Sequence, residues 1–580
     1  MTQTLTVRGA CPHDCPDTCA LLTTVEDGRA VKVHGNPAHP HTDGVLCAKV
    51  SRYTERTYHP DRLLHPMKRV GPKGSGQFAR ISWDEALDTV ASRLSAISAC
   101  DPQAIQPYSY AGTMGLVQGE SMDRRFFHQL GASLLDRTIC ASAGGEALTQ
   151  TIGGKLGMRV EFFAEAKLIL IWGSNSIGSN LHFWRYAMAA KRAGARLVCI
   201  DPRKSETADK CHEHIALMPG TDAALALALM HELIVNRWLD QDYIDSHTIG
   251  FGNLCERALL WNPERAAAVC GINADQIRRL AHDYGTTQPA AIRLNYGMQR
   301  VHGGGNAARA IACLPALTGA WRYRAGGLLL STSATVPAQR SALQRRDLLG
   351  QGEARSNAQI FRDLGARMGF RDPCFADDDE ALCRQAFAPA SGVDFDALLR
   401  DGFAHPAVPE APFAQGGFAT PSGRCEFFSQ RLADQGLDGL PDHVPNHEGA
   451  GSSSSYPLAM ISPPARNFLN SSFVNVTSLR NIEGEPLLEI HPTDAAVRGV
   501  TSGQVVRVFN DRGSYHCKAE VSERARPGVV NGLGIWWRKM GLNGTNVNEL
   551  TSQALTDMGR GPTFYDCLVE VQVENPACAA

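Results

Sequence analysis

The stretch Lys167-Leu-Ile-Leu-Ile-Trp172-Gly173-Ser-Asn175-Ser176 carries the fold. A run of large apolar residues closed by a Gly-Ser-Asn turn reads as a strand buried on both faces, the pattern of a parallel sheet. A helical stretch over residues 181–193 follows, and Ala195-Arg-Leu-Val-Cys-Ile200 supplies a second apolar strand ending at Asp201-Pro-Arg203. Strand, helix and strand in that order form a βαβ unit of the doubly wound kind, in which ligands sit outside the carboxyl ends of the strands. Asp201 therefore stands where an acidic residue often takes a ribose hydroxyl. The turn is not G-x-G-x-x-G, so an ordinary NAD fingerprint is absent.

Working outward, Pro219-Gly-Thr-Asp222 enters another helix through Ala223 to Met230, where Asp222 on its own reads as an N-cap. Pro289-Ala-Ala-Ile-Arg-Leu-Asn295 is a further strand, followed by Tyr296-Gly-Met-Gln-Arg300 and His302-Gly-Gly-Gly305. The amides of that glycine run suit either a phosphate cradle or a plain helix entry. Upstream, Ser82 and Glu85 form a capping box at the head of a helix reaching residue 97. Cys140, in Thr138-Ile-Cys-Ala-Ser-Ala-Gly-Gly145, precedes a small-residue run that can start a helix. A thiol so placed is either activated or an inert buried one.

Beyond residue 343 the chain turns polar and broken, with a helix over 357–368. The linker Gly449-Ala-Gly-Ser-Ser-Ser-Ser455 marks a domain boundary. After it come short strands at 458–461, 487–490, 505–509, 516–521 and 569–573, separated by turns, which predict an all-β barrel.

At the other end stands Cys11-Pro-His-Asp-Cys15-Pro-Asp-Thr-Cys19, answered by Cys47. Between Cys19 and Cys47, residues 20–25 and 30–34 read as two strands around an Asp-Gly turn that carries the chain back. Soft thiolates select zinc, Cu(I) or an iron–sulfur cluster. Structural zinc sites favour short cysteine pairs in two knuckles, whereas three ligands here crowd one loop, so a cluster is the better reading. Lys49, two residues past Cys47, is either a surface lysine or an ammonium placed between the cluster and its electron partner.

Composition narrows the class. A chain of 580 residues is too long for one core. Its net charge of −2 leaves no electrostatic footprint for nucleic acid, and its longest apolar stretch, 223–230, is well short of a bilayer span. Residues 1–10 contain neither an apolar targeting core nor a twin arginine, which predicts a cytoplasmic protein without membrane insertion. Its 17 cysteines then point to metal or redox chemistry and buried thiols rather than disulfides.

Taken together, the order of signals resembles one family, the bis-molybdopterin guanine dinucleotide (bis-MGD) oxidoreductases related to dimethyl sulfoxide reductase and formate dehydrogenase. The resemblance runs through nearly the whole chain. It rests on the cysteine nest ending Cys47-Ala-Lys49, Ile81-Ser-Trp-Asp-Glu-Ala86, Trp172-Gly-Ser-Asn175, Ile200-Asp-Pro-Arg203 and Pro219-Gly-Thr-Asp222. Leu317-Thr-Gly319, Thr420-Pro-Ser-Gly423, His491-Pro-Thr-Asp-Ala495, Val506-Arg-Val with Arg512-Gly513, and Asn546-Val-Asn-Glu-Leu-Thr551 continue it.

The resemblance implies an α/β multidomain fold. A [4Fe–4S] domain is expected over residues 1–60 and an α/β domain over 61–135 and 331–448. An α/β dinucleotide-binding domain over 136–330 and a C-terminal β-barrel over 455–575 complete it. Cys11, Cys15, Cys19 and Cys47 are expected to hold the cluster, with Lys49 between it and a pterin. Cys140 falls at the position of the protein ligand to molybdenum or tungsten. Gly173, Asn175, Asp201, Arg203 and Asp222 are expected on one guanine dinucleotide, with Asp222 at the guanine edge. Asn470, Ser471, Asn546 and Asn548 of the barrel are expected to cover the pterins. Arg293, Arg300 and His302 are candidates for lining the path to the metal, or ordinary contacts. The activity implied is electron transfer between a small-molecule substrate and a separate redox protein, because no second cluster, flavin or NAD motif is visible.

Two departures stand out. Ala141 follows Cys140 where the family's formate dehydrogenases carry histidine, which disfavours formate oxidation. In addition, a long segment that in similar proteins separates the regions seen here at 326–329 and 352–355 is missing, with the join near residues 349–352. That shortening leaves open a cofactor bound in altered form, or a non-catalytic cluster-bearing subunit. Non-redox chemistry on the same cofactor, as in hydratases resembling this family, is a third alternative.

Overall fold

Leu168–Trp172 (β1) is buried at all five positions, and it forms the centre of a five-stranded sheet in the computed structural model. The structure describes residues 3–110, 115–335, 338–345, 358–405 and 408–574. They fall into two units, one of residues 1–46, 50–137 and 335–407, the other of 47–49, 138–334 and 408–580.

In the second unit, β1 is joined by Arg196–Ile200 (β2), Glu213–Ile215 (β3), Ala290–Leu294 (β4) and Gly327–Leu329 (β5). The order is β5-β4-β1-β2-β3 with every pair parallel. The order reverses between β1 and β4, and that switch point is where a doubly wound sheet opens a ligand crevice. Alternation along β1 shows why both faces are covered. Leu168, Leu170 and Trp172 enter one core with α-helical residues such as Leu225 and Ile311. Ile169 and Ile171 enter another core with Phe163, Phe183 and Ala187. Ser142–Ile152 (α1), Leu181–Arg192 (α2), Asp222–Val235 (α3) and Gly304–Leu317 (α4) belong to the same unit. In α3 every residue from Asp222 to Met230 is buried, so its apolar run is a core helix rather than an amphipathic one.

The predicted barrel is present and closed. Its strands are Leu458–Ile461 (β6), Leu487–Ile490 (β7), Val505–Asn510 (β8), Gly513–Val521 (β9), Val529–Gly532 (β10) and Leu568–Val573 (β11), in the order β6-β10-β7-β9-β8-β11. β8 alternates strictly between partly buried and buried residues, as period-two patterning requires. β10 is the one barrel strand the sequence reading lacked.

In the first unit, Ala20–Glu26 and Arg29–Gly35 pair antiparallel around Asp27 and Gly28, whose φ values of 48° and 80° are those of a tight hairpin turn. Thr4–Ala10 adds a third strand that the sequence reading did not name. Helix Trp83–Cys100 starts as expected, with the Glu85 amide donating to Ser82 Oγ at 3.0 Å. The reciprocal half of the capping box is replaced, because the Glu85 carboxylate pairs with Lys68 at 3.1 Å. Fully buried Arg125, on Met122–Leu130, organises the polar stretch that follows residue 338. It donates to the Leu343 and Cys374 carbonyls at 2.8 and 2.7 Å, to Asp377 at 2.8 Å and to the Gln385 amide oxygen at 2.8 Å.

Of the α/β domain expected over 61–135 and 331–448, residues 61–135 and 335–407 fall in this unit, and 331–334 and 408–448 in the other. Among the described residues of this unit, the strands beyond the three-stranded sheet are a short antiparallel ribbon, Met67–Arg69 with Phe78–Arg80, and the other regular elements are helices. The helix expected over 357–368 runs Ala358–Met368. The join at 349–352 and the 352–355 region lie outside the described residues. Among the described residues no helix is long and apolar enough to cross a membrane.

Candidate active site

The exits of β1 and β4 pack back to back at the switch point. Gly173, which ends β1, takes φ +61°, donates to the Ile200 carbonyl at 2.9 Å and accepts from the Gly297 amide at 3.2 Å. A Cβ on Gly173 would stand 2.9 Å from the Met298 backbone nitrogen, so only glycine lets the two strand exits meet. Asn175 follows, its Oδ1 accepting from the Thr207 hydroxyl at 2.9 Å. At the end of β2, Asp201 accepts the Arg203 amide at 2.9 Å, and burial pushes its carboxyl up to about 6. Asp222, at the head of α3, accepts the Trp172 indole N–H at 2.7 Å. Burial, with a smaller push from the charge of Asp201, raises its carboxyl to about 7.

Arg203, expected on the dinucleotide, pairs with the barrel. Its guanidinium grips Glu489 of β7 with two hydrogen bonds of 2.7 and 2.6 Å, and Glu489 also accepts from Asn531 Nδ2 at 2.8 Å. Glu489 is almost wholly buried, so this bidentate pair ties the barrel to the sheet. Sequence pattern gave no sign of Glu489, an acid in an apolar strand.

Cys140 lies on the turn that enters α1, and the segment leaving β4 holds it. Buried Gln299 donates from Nε2 to the Cys140 carbonyl at 2.6 Å and accepts the Gly144 amide on Oε1 at 2.5 Å. Arg300 donates to the same Cys140 carbonyl at 3.3 Å. From the other side, Gly559 packs so closely on Ser142 that a Cβ would come within 2.5 Å of its carbonyl carbon. The main chain around Cys140 is thus fixed at both ends of its turn, and the thiol is partly buried. Gln299 stands about 160 residues from Cys140 in sequence, so only the fold reveals the clamp.

The other candidates divide. Arg293 is fully buried and donates to the Leu294, Leu329 and Leu330 carbonyls and to Asn180, which makes it a tie across the strand exits. His302 stacks on His447 with ring centroids 3.7 Å apart. The glycine run after His302 is a helix entry, because the Asp557 carboxylate takes the Gly305 and Asn306 amides, each at 2.9 Å. In the barrel domain, the Ser471 carbonyl accepts from the Trp537 indole at 2.7 Å, and Asn546 donates to the Trp536 carbonyl at 2.9 Å. The two adjacent tryptophans therefore bring these segments together. Asn546 also caps the turn at Asn548, while Asn470, with φ 49°, and Asn548 are exposed.

Cys11 and Cys19 flank the ends of the paired strands, with a 2.8 Å hydrogen bond from the Cys11 amide to the Cys19 carbonyl and Cys15 in the loop between them. A loop presenting three thiols suits a thiolate-selecting centre. Among the described residues, no three His, Cys, Asp or Glu side chains are gathered as a metal site, so the four-cysteine ligand set rests on sequence spacing. Lys49 is buried in the second unit, donating to the Gly178 and Arg466 carbonyls at 3.1 and 2.9 Å.

Comparison with known proteins places this geometry. The molybdopterin oxidoreductase Fe4S4 domain model matches residues 4–59, the molybdopterin oxidoreductase model 62–347 and the molydopterin dinucleotide binding domain model 458–568. The probable oxidoreductase YoaE of Bacillus subtilis is 33% identical over 97% of this chain and 98% of its own. The chain belongs to the molybdopterin oxidoreductase family, of the dimethyl sulfoxide reductase type. Dimethyl sulfoxide reductase DmsA of Escherichia coli is 25% identical to this oxidoreductase, over 98% of this chain and 93% of that one. The solved acetylene hydratase from Pelobacter acetylenicus shares its fold, with a TM-score of 0.76 at 18% identity over 98% of this chain and all of that one. An Fe4S4 centre and a molybdopterin dinucleotide are the cofactors that its matched domains carry. The alignment to YoaE spans 672 positions against 580 residues here, so at least 92 of them fall opposite gaps in this oxidoreductase.

Proposed function

We propose that this oxidoreductase binds molybdenum or tungsten between two molybdopterin guanine dinucleotides, with Cys140 as the protein's ligand. It exchanges electrons between a small substrate and a separate redox protein through a [4Fe–4S] cluster on Cys11, Cys15, Cys19 and Cys47. The observation that supports this most is the clamp on Cys140 by Gln299 and Arg300, which lead out of β4 beside the switch point.

Once bound, the metal and its pterins supply a two-electron couple. What the chain does can be derived from its own residues. Gly173, Asn175 and Asp201 line the strand ends where the dinucleotide is received, and Asp222 presents a carboxylate to the base. Cys140 contributes a thiolate whose backbone cannot drift, which keeps the ligand's approach constant. Lys49, held by two carbonyls beside the helix that follows Asn175, supplies a fixed positive charge on the electron path between cluster and pterin.

The reading is tested by turnover of the holoenzyme with reduced benzyl viologen as an artificial electron partner. Dimethyl sulfoxide is the first substrate to screen, since a relative is named for it. Substrate-dependent bleaching of the viologen is the expected result. Substrate consumption with no change in viologen oxidation state would instead establish non-redox chemistry.

A further inference from the structure

We infer that the exposed ribbon of the first unit, Met67–Arg69 with Phe78–Arg80, is the docking surface for the separate redox protein, and that this protein is acidic. The inference rests on the proposed electron exchange and deepens it by naming the partner's chemistry and its seat.

In an antiparallel pair, residues opposite each other share a face, and so do residues two apart on one strand. Met67 pairs with Arg80 and Arg69 with Phe78, so these four side chains lie together on one face. Lys68 lies on the other face, where it pairs with Glu85 of the helix that follows. All six ribbon residues are exposed, Phe78 by 54%. Apolar exposure continues along the chain on both sides, at Leu63 and Leu64, 78% and 73% exposed, and at Trp83. Large apolar groups left together in water mark an interaction site. Among the described residues, neither Arg69 nor Arg80 pairs with a carboxylate, and Arg69 donates to the Gly71 carbonyl at 3.3 Å. Residues 52–80 hold seven Lys and Arg against two Asp and Glu, in a chain whose net charge is −2. Aromatic residues, Met and Arg are the types enriched in protein interfaces, and the excess of cations selects an acidic partner. Two aromatic side chains tie this segment to the cysteine-bearing hairpin. The Tyr53 ring lies 5.5 Å from that of His13, between Cys11 and Cys15, and the Tyr58 hydroxyl accepts the Ala30 amide at 2.8 Å. The surface thus starts beside the thiols, which makes an electron carrier its occupant.

The test titrates the anaerobic holoenzyme calorimetrically, at low ionic strength, with a plant-type [2Fe–2S] ferredoxin as the acidic probe. Wild type is expected to bind, with affinity falling as salt rises. Arg69→Glu/Arg80→Glu is expected to lose about tenfold or more in affinity, and Phe78→Ala to weaken binding at any salt. Thermal midpoints should not move, because all three side chains are exposed. Reduced benzyl viologen, which needs no docking, is expected to bleach the cluster absorbance equally in wild type and variants. Ferredoxin binding that is absent, or equal in wild type and the charge-reversed variant, overturns the inference, while bleaching by viologen leaves the proposed electron exchange in place. No bleaching by viologen overturns both. Phosphatidylglycerol vesicles that sediment wild type but not the charge-reversed variant, with ferredoxin binding unchanged, would overturn the inference in favour of a lipid surface.

Discussion

Cys140→Ala is expected to reduce turnover of the holoenzyme by about 10³-fold or more, the scale seen when a group acting directly at a reacting centre is removed. The fold should not register the change. Gln299 and Arg300 bind the main-chain carbonyl of residue 140, which alanine retains, so stability should stay within about 1 kcal/mol of wild type. That separation gives the substitution its force. Turnover within tenfold of wild type, at equal metal content, would make Cys140 an ordinary thiol.

Asp222→Asn is expected to stabilise the cofactor-free chain at neutral pH and to leave it unchanged in acid. Burial holds the Asp222 carboxyl at about 7 in the folded chain, against about 4 when unfolded. The folded state therefore binds its proton more tightly, and stability falls as pH rises from about 4 to about 7. Asparagine cannot ionise, and its amide oxygen can still accept the Trp172 indole N–H. The variant should match wild type near pH 4 and exceed it above pH 7 by at most about 4 kcal/mol. Asp201 and Asp566, both raised to about 6 by burial, are present in both chains and largely cancel in the difference. Denaturant midpoints at both pH values decide it. A constant offset between the two chains would mean that Asp222 is ionised throughout.

The sheet was legible because its signals are local. Leu168–Trp172 is an uninterrupted apolar run closed by glycine, and the barrel strands Val505–Asn510 and Gly513–Val521 alternate within their own length. Thr4–Ala10 escaped notice because all seven of its residues are exposed, so no buried face imprints an alternation. Val529–Gly532 directly follows a Pro-Gly turn and itself ends in Asn-Gly, residue types that read as a turn rather than a strand. In the site, Cys140 and Asp222 were both marked by the resemblance, since Asp222 on its own reads as an N-cap. Gln299 and Glu489 act through partners far away in the chain, and such pairings leave no trace in spacing. Arg203 shows the reverse, a motif residue whose guanidinium the fold commits to Glu489.

The central claim is that this chain assembles a metal–pterin centre beside an iron–sulfur cluster, although at least 92 positions of its alignment to YoaE fall opposite gaps. Elemental analysis of anaerobically purified protein for iron, molybdenum and tungsten, with pterin released and quantified from the same sample, tests it most directly. The account predicts about four irons per chain together with one molybdenum or tungsten and two pterins. Iron without molybdenum, tungsten or pterin would contradict it.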